Sequence, residues 1–357
     1  MQTASIASLA AAPPPPAAGQ GIRLGFDSYS VRAFNWKAIQ LLDYAASLKL
    51  DAVQLSSLND YESLEPAYLR KVKDHAARLG LSIDAGISCI CPSSASWSPQ
   101  QGDPTGYLLQ GLRVAQAVGS TVVRCFLGTR ADRRGRQPIE AHITNTAKVL
   151  RSVRSQAVDM EIKFAVENHA GDMQAREVKV LIEEAGKDYV ASCLDTGNPM
   201  WVVEDPMVAL EILGPYVVTT HIRDSAVFEH PRGAAAQWVA LGEGNSIDFS
   251  RFLPLYKQLC PNAVMQLEII TGRPPEVLPY FEADFWKAFP NTPASEFVRF
   301  VALARKGRPF MGSMVIGGAG KQPPAITEAL KEQQRVDLER SLDYARQTLG
   351  LGVRWRA

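Results

Sequence analysis

Four stretches in the second half of the chain decide its fold, because each runs from apolar, strand-like residues into polar ones. They read KFAVENH (163–169), VASCLDTGN (190–198), VVTTHIRD (217–224) and AVMQLEI (263–269). Four shorter strand-like runs precede them, at 24–29, 52–56, 82–86 and 121–126. Amphipathic helical patterns separate most of the successive runs. The alternation predicts eight β/α units, in which a parallel sheet is covered by helices.

The number and spacing of these units favour a closed barrel over an open sheet. Eight units within about 250 residues are typical of a (β/α)8 barrel, or TIM barrel. An open, doubly wound sheet is expected to show a glycine-rich phosphate turn after an early strand. No such turn follows Tyr29, Ser56 or Gly86, and GGAG at 317–320 follows no clear strand. We therefore predict an α/β fold of the TIM barrel type.

One segment departs from the regular barrel pattern. Residues 271–325 separate the eighth predicted strand from a clear final helical pattern at 326–349. They leave the carboxyl-terminal rim of the barrel, where active sites of such barrels lie. We predict that 22–357 form one barrel domain in which 271–325 form a cap-like insertion. The alternative is that this segment forms a dimer contact, in which case the protein is a homo-oligomer.

The first 21 residues have a different composition from the rest. They carry no charged side chain, and Pro13 to Pro16 exclude a helix or a central strand there. A disordered tail is one interpretation, and the remnant of an export signal without its positive start is the other. A cytoplasmic location follows from the first interpretation and a periplasmic one from the second.

The overall charge and the cysteines exclude several classes of partner. The chain has 357 residues, and its 38 basic and 37 acidic side chains give a net charge of +1. This balance argues against a nucleic-acid binder or a polybasic membrane-surface binder. No apolar run approaches the roughly 20 residues of a membrane span. The five cysteines form no C-x-x-C pair, so buried thiols are favoured over a disulfide framework or a zinc knuckle.

Charged side chains end the last four predicted strands at equivalent positions. They are Glu167, Asp195, His221 and Glu268. Parallel strands end at one rim, so these side chains are expected to converge, and three carboxylates repel unless a cation or protons intervene. Oxygen ligands with one nitrogen suit a hard or borderline divalent ion: Mn²⁺ is favoured, with Mg²⁺, Co²⁺ and Zn²⁺ as alternatives. Each residue alone is weak evidence, since Asp195 also suits a helix N-cap.

With these residues the sequence resembles the xylose isomerase-like TIM barrel superfamily of sugar isomerases and epimerases. The matching pieces are VENH (166–169), LDTGN (194–198), HIRD (221–224) and the glutamate of QLEI (266–269). In the ketose 3-epimerase branch these positions hold one Mn²⁺-type ion. The resemblance implies that Glu167, Asp195, His221 and Glu268 are metal ligands. It also implies that Glu167 and Glu268 are the catalytic acid and base.

Residues beside the four predicted ligands are the candidates for binding substrate: His169, Arg223, Asn198 and Arg124. His169 and Arg223 each lie two positions beyond a predicted ligand and would face the same side of an extended strand. For His169 the alternative is a structural hydrogen bond. For Arg223 it is a salt bridge with Asp224, and for Arg124 a pairing with a core carboxylate.

These residues predict a metal-dependent isomerase or epimerase acting on a sugar or sugar derivative. Removal of the proton beside a carbonyl would give an enediolate that a divalent ion stabilises. A lyase that cleaves 3-oxo-glycosides by the same proton abstraction is the alternative, which the long insertion favours slightly. A non-catalytic sugar-binding barrel is a weaker alternative. An apurinic-type endonuclease is disfavoured, because it needs more histidines than the five present.

Overall fold

The computed structural model describes residues 21–318 and 320–356, so all but the last residue of the predicted tail lies outside the described residues. Seven parallel strands come first: β1 (Leu24–Asp27), β2 (Ala52–Leu55), β3 (Ser82–Cys89), β4 (Val122–Phe126), β5 (Lys163–Glu167), β6 (Val190–Asp195) and β7 (Val217–His221). An antiparallel hairpin follows, made of β8 (Asp224–His230) and β9 (Gly233–Val239). The eighth barrel strand is β10 (Met265–Leu267).

The eight parallel strands form a nearly closed barrel, as the sequence predicts. They are ordered β10-β1-β2-β3-β4-β5-β6-β7. The first and last strands in the chain are neighbours, with Phe26 in register with Leu267. The remaining gap is bridged just after β7, where the Ile222 amide donates to the Gln266 carbonyl at 2.8 Å. The side chains that end β5, β6, β7 and β10 therefore share one rim.

Eleven α-helices lie among the described residues, and those that cover the barrel show one apolar face. In α2, for example, Leu69, Val72 and Ala76 are buried, and Pro66 occupies the first turn, where its missing N–H costs nothing. None of the described helices is long and apolar enough to cross a membrane. The helices are α1 (Ala38–Ser47), α2 (Pro66–Leu79), α3 (Pro104–Val118), α4 (Arg130–Arg133), α5 (Ile139–Arg151), α6 (Arg154–Asp159), α7 (Ala175–Ala185), α8 (Pro206–Leu213), α9 (Phe249–Leu259), α10 (Ala294–Lys306) and α11 (Pro324–Gln347).

A second layer stands on the carboxyl-terminal rim and is built from two separate segments. The short strand β11 (Glu276–Leu278), from the segment predicted as an insertion, pairs antiparallel with β9. Leu278 and Phe300, from that segment, share a small apolar core with Val227 and Ala236 of the hairpin and with Met200, which follows β6. The hairpin formed by β8 and β9 is not among the elements predicted from the sequence. The layer over the rim therefore includes residues from before β10 as well as after it.

Candidate metal centre

The four predicted ligands meet at the carboxyl-terminal mouth of the barrel. Glu167, Asp195 and His221 are the last residues of β5, β6 and β7, and Glu268 directly follows β10. Asp195 and His221 are paired in register on neighbouring strands. One ligand atom from each of the four side chains lies within 4.8 Å of the others, and all four residues are buried. The barrel geometry thus brings together residues that are up to 101 positions apart in the chain.

The imidazole of His221 is oriented with one nitrogen towards the three carboxylates. Its Nδ1 lies 3.3 Å from Glu167 Oε1, 3.7 Å from Glu268 Oε2 and 3.8 Å from Asp195 Oδ2. This Nδ1 has no hydrogen-bond partner among the described residues. The other nitrogen, Nε2, donates to the side-chain carbonyl of Gln54. In the neutral ring the lone pair of Nδ1 therefore points at the carboxylates, which is the arrangement of a histidine ligand.

A buried chain of polar side chains fixes this orientation from below. The Gln54 Nε2 donates to Thr219 Oγ1 at 2.8 Å, and the Thr219 hydroxyl donates to Asp84 Oδ2 at 2.7 Å. Gln266 Nε2 donates to the same Asp84 oxygen at 3.1 Å. This network of side chains was not predicted from the sequence. The available signal was a polar residue within an otherwise apolar strand, as at the strand ends, since Gln54, Asp84 and Gln266 lie inside buried strands.

Two arginines lie directly against the carboxylates. Arg124 Nε donates to Glu167 Oε2 at 2.6 Å, so it takes the predicted alternative of pairing with a core carboxylate. Arg223 pairs with Asp195 and, at 3.0 Å, with Glu268. The alternative salt bridge between Arg223 and Asp224 is wrong. Asp224 accepts instead from the amide of the adjacent Ser225 at 2.8 Å and from amides of the loop 242–246, including Gly244 at 3.0 Å.

The charges of these neighbours shift the pKa values in opposite directions. Burial raises the pKa of Glu167, but Arg124 and His221 together bring it well below its usual value. Burial raises the pKa of Asp195 to about 7, although Arg223 opposes this shift. Burial lowers the pKa of His221, but Glu167, Glu268 and Asp27 raise it well above its usual value. The cluster thus stabilises a positive charge at the imidazole.

The charge balance of the cluster fits a divalent cation. The three carboxylate ligands and the buried Asp27, whose Oδ2 lies 3.5 Å from His221 Nε2, face only two arginines, Arg124 and Arg223. Two negative charges are left over when His221 is neutral. A divalent ion supplies that charge and takes the place of the imidazole proton, because a ligating histidine must be neutral. The oxygen-rich donor set with one nitrogen suits the predicted class of ion.

Cys193 is the one sulfur that could join the cluster among the described residues. It can be grouped with Glu167 and His221 as a three-residue ligand set. Burial raises the pKa of its thiol well above the usual value, and the charge of Glu167 raises it further. A protonated thiol is a poor ligand. The set with three carboxylates is therefore the better candidate.

A cavity of about 520 Å³ opens above the cluster. Glu268 lines it, whereas Glu167, Asp195 and His221 do not. The four predicted substrate-binding residues all line it: His169, Arg223, Asn198 and Arg124. The structure therefore places a ligand-sized space against one of the two predicted catalytic glutamates.

His169 and Asn198 are held in defined orientations at this cavity. The His169 ring stacks on Phe126 with centroids 3.9 Å apart, and its Nδ1 lies 2.6 Å from the Gly128 carbonyl. That contact places the ring proton on Nδ1 and leaves Nε2 as an acceptor. Burial lowers the pKa of His169 to about 4, so the ring is neutral at pH 7. Asn198 Nδ2 donates to Glu167 Oε1 at 3.1 Å.

The sequence matches a known family of barrels and a curated protein. A family model described as "Xylose isomerase-like TIM barrel" matches residues 42–289. The curated 3-oxo-isoapionate decarboxylase of Pectobacterium atrosepticum is 22% identical over 213 residues, which cover 57% of this chain and 69% of that protein.

Two solved structures share the fold at low sequence identity. One is D-psicose 3-epimerase in the presence of D-fructose, with a TM-score of 0.57 and 16% identity, covering 92% of this chain and 100% of that one. The other is the IOLI protein with a bound zinc atom, with a TM-score of 0.54 and 13% identity, covering 80% of this chain and 96% of that one. At these identities the likeness is one of fold.

Proposed function

Since the chain belongs to the xylose isomerase-like TIM barrel family, we propose that it is a divalent-metal-dependent isomerase or epimerase of a sugar or sugar derivative. The reaction is removal of the proton on the carbon next to a carbonyl, through an enediolate. The observation that supports it most is the convergence of His221 Nδ1 and three carboxylates beside a cavity of about 520 Å³.

Glu167, Asp195, His221 and Glu268 are the residues that would hold the ion, with Mn²⁺ the first choice. When bound, such an ion supplies a positive charge that polarises a carbonyl and stabilises negative charge on the neighbouring oxygens. Asp195 and His221 serve only as ligands in this proposal. Gln54, by accepting from His221 Nε2, keeps the ligating nitrogen aimed at the cluster.

Glu268 is the group proposed to take the proton from the substrate carbon. It is 5% exposed and lines the cavity, whereas Glu167 is fully buried. Arg223, at 3.0 Å, holds the Glu268 carboxylate in place. Glu167, bonded to Arg124 and Asn198, is the second proton-transfer group and acts on the opposite face of the carbon when the centre is inverted.

The neutral His169 and Asn198 are proposed to bind substrate hydroxyl groups. His169 Nε2 is free to accept a hydrogen bond, because its Nδ1 is engaged by Gly128. Asn198 also lines the cavity, and its Oδ1 has no partner among the described residues but is enclosed, so the amide must turn towards the cavity to accept one. Two acceptors on the wall of a cavity suit a polyhydroxylated ligand.

A lyase acting through the same enediolate is the second candidate. The curated relative with 22% identity is a decarboxylase, and decarboxylases are lyases. In an eliminating lyase, a group leaves from the enediolate after the proton is removed. In a decarboxylase, the loss of CO₂ itself forms the enediolate, which then takes up a proton. Glu268 would then remove or return a single proton, and Glu167 would serve only as a ligand.

The test uses Mn²⁺-loaded protein in heavy water, with mass spectrometry of the products. Ketoses, 3-oxo-glycosides and 3-oxo sugar acids are offered in separate panels. Deuterium in a ketose or its epimer supports the isomerase or epimerase. Release of an aglycone or of CO₂ supports the lyase. Absence of every signal with metal bound contradicts both candidates.

A matched pair of variants separates the site from general effects. Glu268→Gln removes the proposed base and is expected to slow deuterium incorporation by about 10²- to 10⁴-fold. Glu204→Gln removes another buried carboxylate, one that accepts from the Ala175 amide outside the cavity, and is expected to retain it. Equal rates of deuterium incorporation in the two variants would refute the assignment of Glu268 as the base.

A further inference from the structure

Two arginines at the mouth of the cavity differ from the arginines at its floor. Arg32 lies in the 3-10 helix Ser28–Phe34 after β1, and Arg273 lies six residues beyond the end of β10. Because β1 and β10 are neighbours in the barrel, the two loops emerge side by side. Both side chains line the cavity that contains Glu268.

Neither of these arginines has a carboxylate partner among residues 21–318 and 320–356. Arg32 donates to the Tyr29 carbonyl at 3.0 Å and lies over the Tyr29 ring at 4.5 Å. Arg273 lies over the Trp238 ring at 5.2 Å. Two carboxylates line the same cavity: Glu268 is paired with Arg223 at 3.0 Å, and Asp60 accepts from the Ser28 hydroxyl at 2.7 Å. Most of the guanidinium N–H donors of Arg32 and Arg273 remain available.

The positive charge of Arg32 is poorly compensated where it lies. The side chain is half-buried, and burial lowers its pKa. The charges of Arg273 and Arg223 lower it further, and Tyr29 and Glu268 oppose them. A guanidinium withdrawn from water without a partner is unfavourable. An anion placed between the two arginines would relieve this cost.

The backbones that carry the two arginines are anchored. The Ala33 amide donates to Gln334 Oε1 of α11 at 2.9 Å, next to Arg32. The Arg273 carbonyl accepts from Gln237 Nε2 of β9 at 2.9 Å. The backbone at Arg32 and at Arg273 is thus fixed by α11 and by the hairpin before a ligand binds, which lowers the conformational entropy lost on binding.

Charge balance at the floor of the cavity leads to the same conclusion. A divalent ion together with Arg124 and Arg223 neutralises the three ligand carboxylates and Asp27. The other nearby carboxylates are engaged as well: Asp60 accepts from the Ser28 hydroxyl, and Asp84 accepts from Thr219 and Gln266. None of them pairs with Arg32 or Arg273 among the described residues, so both guanidinium groups are free to bind an anionic ligand.

We propose that the substrate carries an oxyanion, a carboxylate or a phosphate, which Arg32 and Arg273 bind at the cavity mouth while its carbonyl end faces Glu268. This assignment rests on the proposed function and narrows its substrate class to acidic sugar derivatives. Guanidinium groups suit such oxyanions because their planar N–H donors match two oxygens at once.

The test is calorimetric binding to the full-length, Mn²⁺-loaded protein of three six-carbon ketoses. They are D-fructose, 5-keto-D-gluconate as the carboxylate and D-fructose 6-phosphate as the phosphate. The wild-type protein is expected to bind one of the anions about 10- to 100-fold more tightly than D-fructose. The tighter anion identifies the source of the charge.

Variants then locate the preference. Arg32→Gln is expected to reduce the preference for the anion over D-fructose by about tenfold, and Arg32→Lys to restore it in part. Arg134→Gln removes an exposed arginine of the same rim that does not line the cavity, and is expected to change nothing. Equal binding of all three ketoses, or a preference that survives Arg32→Gln combined with Arg273→Gln, overturns the proposal.

The heavy-water experiment keeps this proposal distinct from the proposed function. Deuterium exchange on neutral ketoses without anion preference refutes the oxyanion site and retains the enzyme assignment. An anion preference that depends on the two arginines, without deuterium exchange on any ketose, retains the oxyanion site and refutes the enzyme assignment.

Discussion

Gln54 gives the sharpest test of how the barrel interior orients the proposed metal ligands. Its side-chain carbonyl accepts from His221 Nε2, and its amide donates to Thr219 at 2.8 Å. In Gln54→Leu the imidazole keeps only Asp27 Oδ2, 3.5 Å from Nε2, as a nearby acceptor. The ring then loses its fixed tautomer and orientation. We expect Mn²⁺ affinity to fall about 10- to 100-fold, or about 1.4–2.7 kcal/mol.

Gln266→Leu is the matched control for this substitution. Gln266 is equally buried, and its Nε2 donates to Asp84 Oδ2 at 3.1 Å, in the same network but without touching His221. Gln54→Leu loses two side-chain hydrogen bonds and Gln266→Leu loses one. Each variant is expected to lower the free energy of unfolding by about 1–3 kcal/mol, with Gln54→Leu at the upper end. Only Gln54→Leu is expected to weaken metal binding.

The assay pairs Mn²⁺ titration against a fluorescent chelator with urea unfolding of the metal-free proteins. The titration measures the ligand set, and the unfolding measures the packing. Wild-type Mn²⁺ affinity in Gln54→Leu would refute the positioning role. An equal loss of affinity in Gln266→Leu would show that any damage to the network weakens the site.

Three further outcomes follow from the site and its surroundings. Glu268→Gln is expected to slow deuterium exchange by about 10²- to 10⁴-fold in the mass-spectrometric assay, and exchange at the wild-type rate contradicts its role as base. His221→Ala is expected to lose bound metal by elemental analysis, and unchanged metal content removes His221 from the ligand set. Burial raises the pKa of Glu204 from 4.5 to about 8, so its stabilising contribution is complete below about pH 4.5 and is lost as the pH rises to 8. Glu204→Gln is therefore expected to gain stability relative to the wild type between pH 5 and pH 9, by a few kcal/mol in urea unfolding, and a difference that does not change with pH refutes this.

The barrel and its four-residue cluster were predictable because the signals for both lie within individual strands: an apolar run, and a charged residue where the run ends. A strand buried on both faces must be apolar, so Glu167, Asp195 and His221 are conspicuous where β5, β6 and β7 end. The closure of the barrel then places them together without further information. Gln54 is likewise a polar residue in a buried strand. A single amide side chain in a strand of four residues is, however, too weak a signal to identify it from the sequence.

The layer over the rim was only partly predictable, because its order comes from contacts between distant segments. The hairpin turns at HPRG, where Gly233 has a φ of 146°. In its second strand, Gly233 is followed by three alanines, which show no alternation of apolar and polar residues. Their small side chains matter only once Leu278 and Phe300 pack against the hairpin. The placement of Arg32 and Arg273 depends on the same long-range assembly.

The two glutamates that have equivalent places in the sequence pattern are unequal in the fold, and this bears on the reaction. Glu268 reaches the cavity, while Glu167 is enclosed by Arg124 and Asn198. Chemistry at one face of a carbon, as in an isomerase or a lyase, requires only Glu268. Inversion at that carbon also requires Glu167 to exchange its protein partners for the substrate. Epimerisation therefore needs a rearrangement of Arg124 or Asn198 on ligand binding that single-face proton transfer does not.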